Sequence, residues 1–394
     1  MLNRRILRVK AFQTLYAYQQ CKLSNFNLAH DYIREAFQPD LNSMEVQDKV
    51  LLKKNAETCI RLFSESIDGK VLATSGEDAS KISDVAIRAM DLFHKSNKKD
   101  REFLKKNMVN AVENIPGLYL YAVKILIGFR NHVRQESHKK RKLSEQAVTY
   151  TDTGFNLGKN QVLEIIAANH SFEKACARFH VDITDLEQEI KEWYRELVKT
   201  NEDYQDYSKI EAPSLEQDNE ILQILLKKVV FKSDPILSFF QDRDLNWSEN
   251  KPIVRSLALK VVKHIDGDRD LEDDLLPDIA INWEEDKEFF QNIFNLTIES
   301  EREFSDLIAE KASNWDVERI ALTDKVILTM ALTEMVNFPS IPIKVTINEY
   351  IDISKTYSTP KSKQFVNGLL DTISKELTES GKIRKSGRGL IDNK

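Results

Sequence analysis

The sequence predicts an all-α fold. Apolar residues fall at spacings of three and four in segment after segment, which is the period of a helix face and not the alternation of a strand. Only 11 Gly and 9 Pro occur in 394 residues, too few for the turns of a sandwich or barrel. Hydrophobic residues at 41% and charged residues at 30% suit many short-looped amphipathic helices.

The elements follow in order. Leu7, Ala11, Leu15 and Tyr18, with Phe12, Tyr16 and Gln19 beside them, predict a first helix over Arg4 to Cys21. A second runs from Asn27 to Phe37 and stops at Gln38-Pro39-Asp40, because a proline disfavours helix in the residue before it. Met44 to Ile67 follows, ending before Asp68-Gly69, and 70–80 reads as a polar loop. Ile82 to His94, Arg101 to Glu113 and Leu118 to His138 come next, the last two separated at Pro116-Gly117. The basic run from His138 to Lys142 opens an exposed linker through TDTGFNLGKN.

Beyond the linker, helices are expected at 160–168, 171–179 and 182–200, with Asp182 or Thr184 as N-cap. Leu215 to Lys232 and Pro252 to His264 also show helical spacing, separated by the polar FQDRDLNWSENK. After an acidic run come 285–312, 316–336, 343–356 and 361–379, and then a Gly- and Lys-rich tail expected to be disordered.

Several function classes lack their signatures. No GxGxxG follows a strand and no GxxxxGK[ST] is present, so no cofactor is expected. Cys21, Cys59 and Cys176 form neither a disulfide framework nor a CxxC pair, and Cys176 with His180 has no second pair, so no metal is expected. There is no GxSxG elbow, and no catalytic residue stands out. Such cysteine usage, an N-terminus with charge among its apolar residues, and the lack of a long uncharged run lead us to expect a cytoplasmic protein.

The net charge of -6 conceals a polarised distribution. Residues 1–22 carry Arg4, Arg5, Arg8, Lys10 and Lys22 without an acid, whereas 266–288 is dense in Asp and Glu. Arg4 and Arg8 lie one turn apart with Arg5 beside them, so three guanidinium groups are expected to project together as a phosphate clamp. A second basic stretch comprises Lys98, Lys99, Arg101, Lys105, Lys106, Arg130, Arg134 and Lys139 to Lys142. It would either lengthen a nucleic-acid track or pair internally with the acidic segment 266–288.

Two blocks at opposite ends carry a resemblance. RRILRVKAFQTLY (4–16) resembles the arginine-rich first helix of the NusB family, and IPIKVTINEYIDISKTYSTPKSKQFVNGLL (341–370) resembles its closing helices through Ile-Asn-Glu and Phe-Val-Asn-Gly. Residues 286–335 are similar to its middle helices. The first block departs at Ile6, Leu7 and Val9, where the family usually has a basic residue, Ala and Glu. The resemblance implies NusB-like first helices at 1–39, a helical insertion of unassigned role at 40–280, a NusB-like C-terminal bundle at 281–380 and the tail at 381–394.

It further implies a non-catalytic transcription antitermination factor. Such a protein binds boxA-like single-stranded RNA together with a NusE-type ribosomal protein, within a transcription elongation complex. Carried over residue by residue, RNA contacts would fall on Arg4, Arg5, Arg8, Tyr357, Lys361 and Phe365, and contacts to the ribosomal protein on Tyr16, Glu318 and Asp324. Asn348, Glu349, Asn367 and Gly368 are read as structural, with Gly368 permitting close helix approach. The alternatives are a protein-interaction scaffold and, less favoured, a relative of RNA cytosine methyltransferases, whose Cys beside Pro this sequence lacks.

Overall fold

The computed structural model describes residues 2–42, 44, 46–67, 78–144, 154–265, 274–312 and 320–391, and among them there is helix and no strand. The helices are α1 (Arg4–Ala36), α2 (Lys49–Ile67), α3 (Ala79–Glu113), α4 (Ile115–Ser144), α5 (Gln161–Ala168), α6 (His170–Arg178), α7 (Glu187–Trp193) and α8 (Glu202–Ser208). They continue with α9 (Leu215–Leu225), α10 (Asp234–Arg243), α11 (Trp247–Lys263), α12 (Trp283–Glu299), α13 (Glu301–Lys311), α14 (Leu322–Asn337), α15 (Ile343–Tyr357) and α16 (Ser362–Glu379).

Two expected breaks are absent, for one shared reason. The chain runs as helix straight through Ser24-Asn25 in α1 and through Ser96-Asn97 in α3. Asn25 and Asn97 are both buried, and the Asn25 amide donates to Asn97 Oδ1 at 2.9 Å and to Asp100 Oδ2 at 2.7 Å. A satisfied buried amide outweighs the poor helix propensity of Asn, which in isolation would favour a turn. Conversely, 285–312 divides at Ser300 into α12 and α13.

Helices α8 and α10 were not anticipated. Asn201 caps α8 by accepting from Tyr204 N, and Pro235 in the first turn of α10 needs no hydrogen-bond donor there. Helix α11 begins at Trp247, five residues ahead of its expected start, with Pro252 inside it.

The chain divides into two compact units, residues 1–6 with 110–286 and residues 7–109 with 287–394. Residues 40–280 are therefore shared between the units and do not form one body.

In the second unit the central element is α14. Val326, Ile327, Leu328, Met330, Ala331, Leu332 and Met335 are buried on several faces, as befits a helix enclosed by α13, α15 and α16. The far half of α1 makes a separate core with α2 and α3. There Ala29, Ile33 and Phe37 meet Cys59, Leu62, Phe63, Val85, Ala89 and Phe93. Full burial of one such aliphatic or aromatic side chain contributes about 1.5–3 kcal/mol.

The first unit is built around α4, whose run Leu118 to Arg130 is buried at most positions and packs on α5, α7 and α11. One 18-residue window in the helical stretch Ala79–Arg141 is apolar and long enough to cross a membrane, but 67% of it is buried inside the protein, as a core helix would be. Several buried polar groups beside α4 are paired. Tyr207 donates to Asp218 Oδ1 at 2.6 Å, and Asn156 donates to the carbonyls of Tyr207 and Ile210 at 2.8 and 2.7 Å.

The C-terminal tail is not disordered through residue 391. Ile383 is buried, Gly387–Leu390 forms a 3-10 turn, and Ser386 N donates to Pro339 O at 3.0 Å. A side chain on Gly389 would run into the Pro339 carbonyl oxygen, so glycine is what permits this approach.

Candidate nucleic-acid interface

Within the second unit the start of α1 is joined to the C-terminal helices by a buried ion pair. Arg8 is 4% exposed and Glu334, on α14, is 0% exposed. The guanidinium donates in bidentate fashion, Nε to Oε2 at 2.7 Å and Nη2 to Oε1 at 2.9 Å. Glu334 also accepts from Thr346 Oγ1 at 2.8 Å and Tyr350 OH at 3.2 Å, both on α15. The Arg8 guanidinium lies 5.3 Å from the centre of the Phe289 ring. Burial works against the charge of Arg8, but the Glu334 carboxylate more than offsets it and holds Arg8 above its ordinary pKa.

The expectation of three projecting guanidinium groups is thus corrected. Arg8 points inward and joins α1 to α14 and α15, leaving no group to meet a phosphate. In the first unit Arg4 is partly exposed and is engaged by Glu285 and by Asp286, the latter at 3.3 Å. Arg5 is exposed.

The residues expected near the last helix divide similarly. Lys361 is exposed at the N-terminal boundary of α16. Tyr357, at the end of α15, is half-buried, with its ring 5.3 Å from that of Phe12 and its hydroxyl accepting from Gln13 Nε2 at 3.4 Å. Phe365 is 8% exposed. It belongs to the core, and the ring face that base stacking would need is covered.

Of the positions expected to meet a ribosomal protein, Tyr16 lies on the rim, 36% exposed with its ring 6.5 Å from that of Phe12. Glu318 lies outside the described residues. Asp324 is 5% exposed and accepts from Ser362 Oγ at 2.8 Å. Ser362 Oγ also lies 2.9 Å from Ser358 Oγ and 2.8 Å from Thr359 Oγ1. Asp324 therefore fastens the first turn of α14 to the first turn of α16, where the helix dipole favours a carboxylate.

Asn348 and Asn367 are exposed, and a side chain at Gly368 would meet nothing, so no close helix approach explains that glycine. Glu349 Oε2 sits 3.8 Å from Arg8 Nη1. Two groups that the sequence reading missed are Glu334 and Lys385. Lys385 Nζ donates to Phe338 O at 3.0 Å, and burial, partly offset by Glu334, pushes its pKa down to about 8.

Among the described residues there is no cluster of His, Cys, Asp or Glu able to hold a metal ion. What the geometry defines is a helical-bundle protein whose basic first helix is locked into its C-terminal helices by buried charge. A model of the NusB family matches residues 252–375. The transcription antitermination protein NusB of Salinibacter ruber is 39% identical over 127 residues, covering 32% of this chain and 79% of that protein. That of Chloroherpeton thalassium is 36% identical over 143 residues, covering 35% and 68%. The protein of the same name from Desulforapulum autotrophicum is 36% identical over 124 residues, covering 30% and 87%. The chain belongs to the NusB family and is longer than these relatives, with an additional helical region. No solved structure matches it.

Proposed function

We propose that the protein is a non-catalytic, cytoplasmic RNA-binding antitermination factor. It binds boxA-like single-stranded RNA together with a NusE-type ribosomal protein and acts within a transcription elongation complex. The observation that carries this reading is its likeness, over most of their length, to transcription antitermination proteins NusB. The residue types left exposed are compatible with it.

Arg5 and Lys361 are exposed cations suited to phosphate oxygens, and half-buried Tyr357 offers an aromatic edge near Lys361 in sequence. Arg8, Phe365 and Asp324 act on this reading through the fold, since each is buried. Tyr16, at the rim of α1, is an exposed contact for the ribosomal protein, alongside Glu318, which lies outside the described residues.

The test is a titration of labelled boxA-like single-stranded RNA with the full chain, with and without the ribosomal protein, across a salt series. Binding should tighten with the partner. Arg5→Ala and Lys361→Ala should each lower the log–log salt slope by about 0.7, the value for one phosphate contact on a single strand. No binding in any combination would leave a protein-interaction scaffold as the better reading.

A further inference from the structure

The outer face of α3 carries a pattern that the bundle does not use. Arg88, Leu92, Lys95, Lys99, Phe103 and Lys106 follow one another at steps of four, three, four, four and three residues. Residues so spaced lie in one row on a helix, and at about 1.5 Å per residue the row is roughly 27 Å long. All six are exposed, Leu92 at 40% and Phe103 at 61%.

A line of four cations runs down this face, with Leu92 and Phe103 along one edge and the exposed carboxylates of Asp84, Asp91 and Glu102 at the same helical spacing along the other. Asp91 pairs with Lys95 at 2.6 Å. The inward face of the same helix is occupied. Asn97 and Asp100 hold Asn25, and Arg101 pairs with Glu299 of α12 at 2.8 Å. The row is therefore what remains once packing is satisfied.

An exposed Phe is unusual beside so many charges, and its setting gives it a use. Lys99 lies one turn before Phe103 and Lys106 one turn after it, so the ring is bracketed by two ammonium groups. That combination stacks an unpaired base while holding the phosphates on either side of it. A duplex would not offer a base to the ring, and an acidic peptide would have no reason to need it. We propose that the Arg88–Lys106 row of α3 is a second single-stranded RNA contact, extending binding beyond the boxA-like element without reading sequence. The proposal rests on the RNA-binding reading above.

The experiment compares two RNAs on the full chain with its ribosomal-protein partner. One is the boxA-like strand alone, and the other is that strand extended by about 16 unstructured nucleotides, the upper end of a typical single-strand site. The variants are the fourfold Arg88→Gln, Lys95→Gln, Lys99→Gln, Lys106→Gln and the single Phe103→Ala, all at exposed positions, with helicity checked by circular dichroism.

Wild type should bind the extended RNA more tightly and with a steeper salt dependence. The fourfold variant should lose that gain, its slope falling by about 3, and Phe103→Ala should weaken binding of the extended RNA on the order of tenfold. Neither should alter binding of the short RNA. If wild type binds both RNAs alike, or the variants bind the extended RNA as wild type does, the row is a solvated surface and the boxA-type reading stands. If wild type binds neither RNA, both readings fall.

Discussion

Replacing Arg8 separates a structural role from an RNA-contacting one. Arg8→Ala would leave the buried Glu334 carboxylate hydrogen-bonded to the hydroxyls of Thr346 and Tyr350, with the charge of Lys385 nearby but no ion pair in place of Arg8. Removing one partner of a buried ion pair typically costs about 3–5 kcal/mol, because the remaining charge is uncompensated. For a unit of this size that corresponds to a fall in Tm on the order of 10 °C. The double variant Arg8→Met, Glu334→Leu removes both charges and should recover most of the loss, since an apolar replacement of a buried pair is often nearly neutral. Urea unfolding of the wild type, Arg8→Met, Glu334→Leu and the double variant gives the coupling directly. A loss below about 1 kcal/mol for Arg8→Ala, with RNA affinity reduced, would refute the argument and return Arg8 to the interface.

Other outcomes follow from buried groups. Lys385 binds its proton less readily in the folded than in the unfolded chain, because burial lowers its pKa to about 8 from 10.5. Stability should consequently gain from deprotonation as pH rises from about 8 towards 10.5. The difference in Tm between wild type and Lys385→Met across that range isolates the effect, and a constant difference would contradict it. Burial pushes the thiols of Cys59 and Cys176 up to about 11, and it raises the less buried Cys21 as well. An aromatic disulfide reagent at pH 8 should label Cys21 first, with the other two reacting only on unfolding. Gly389→Ala should dislodge the tail from Pro339 and make 381–391 more susceptible to limited proteolysis than in the wild type.

The residues that misled a linear reading are informative. The all-helical class and the likeness of the chain's two ends to one family were visible, because apolar spacing and the Phe-Val-Asn-Gly and Ile-Asn-Glu segments are local in sequence. The continuity of α1 and α3 was not, since it depends on Asn25 meeting Asn97 across 72 positions. The inward turn of Arg8 was hidden for the same reason, because its partner lies 326 residues away. A basic run signals charge but not direction. Asp324 and Phe365 look like surface candidates until the junction of α14 and α16 is assembled around Ser362. The 3-10 turn of the tail gave no periodic signal, because what fixes it is a backbone contact at Pro339.

The 33-residue length of α1 determines how the added helices can be removed or replaced. Its first half belongs to the bundle through Arg8, and its second half carries α2 and α3 through Ala29 and Ile33. A module hung on a loose tether can be cut away at the tether, but α2 and the first part of α3 share a rod with the bundle itself. Excision of 40–109 would strip water-shy surface bare along about three turns, from Phe26 to Phe37, of a rod that the bundle still needs. A shortened version should therefore stay soluble only if Phe26, Ile33 and Phe37 are made polar in the same step.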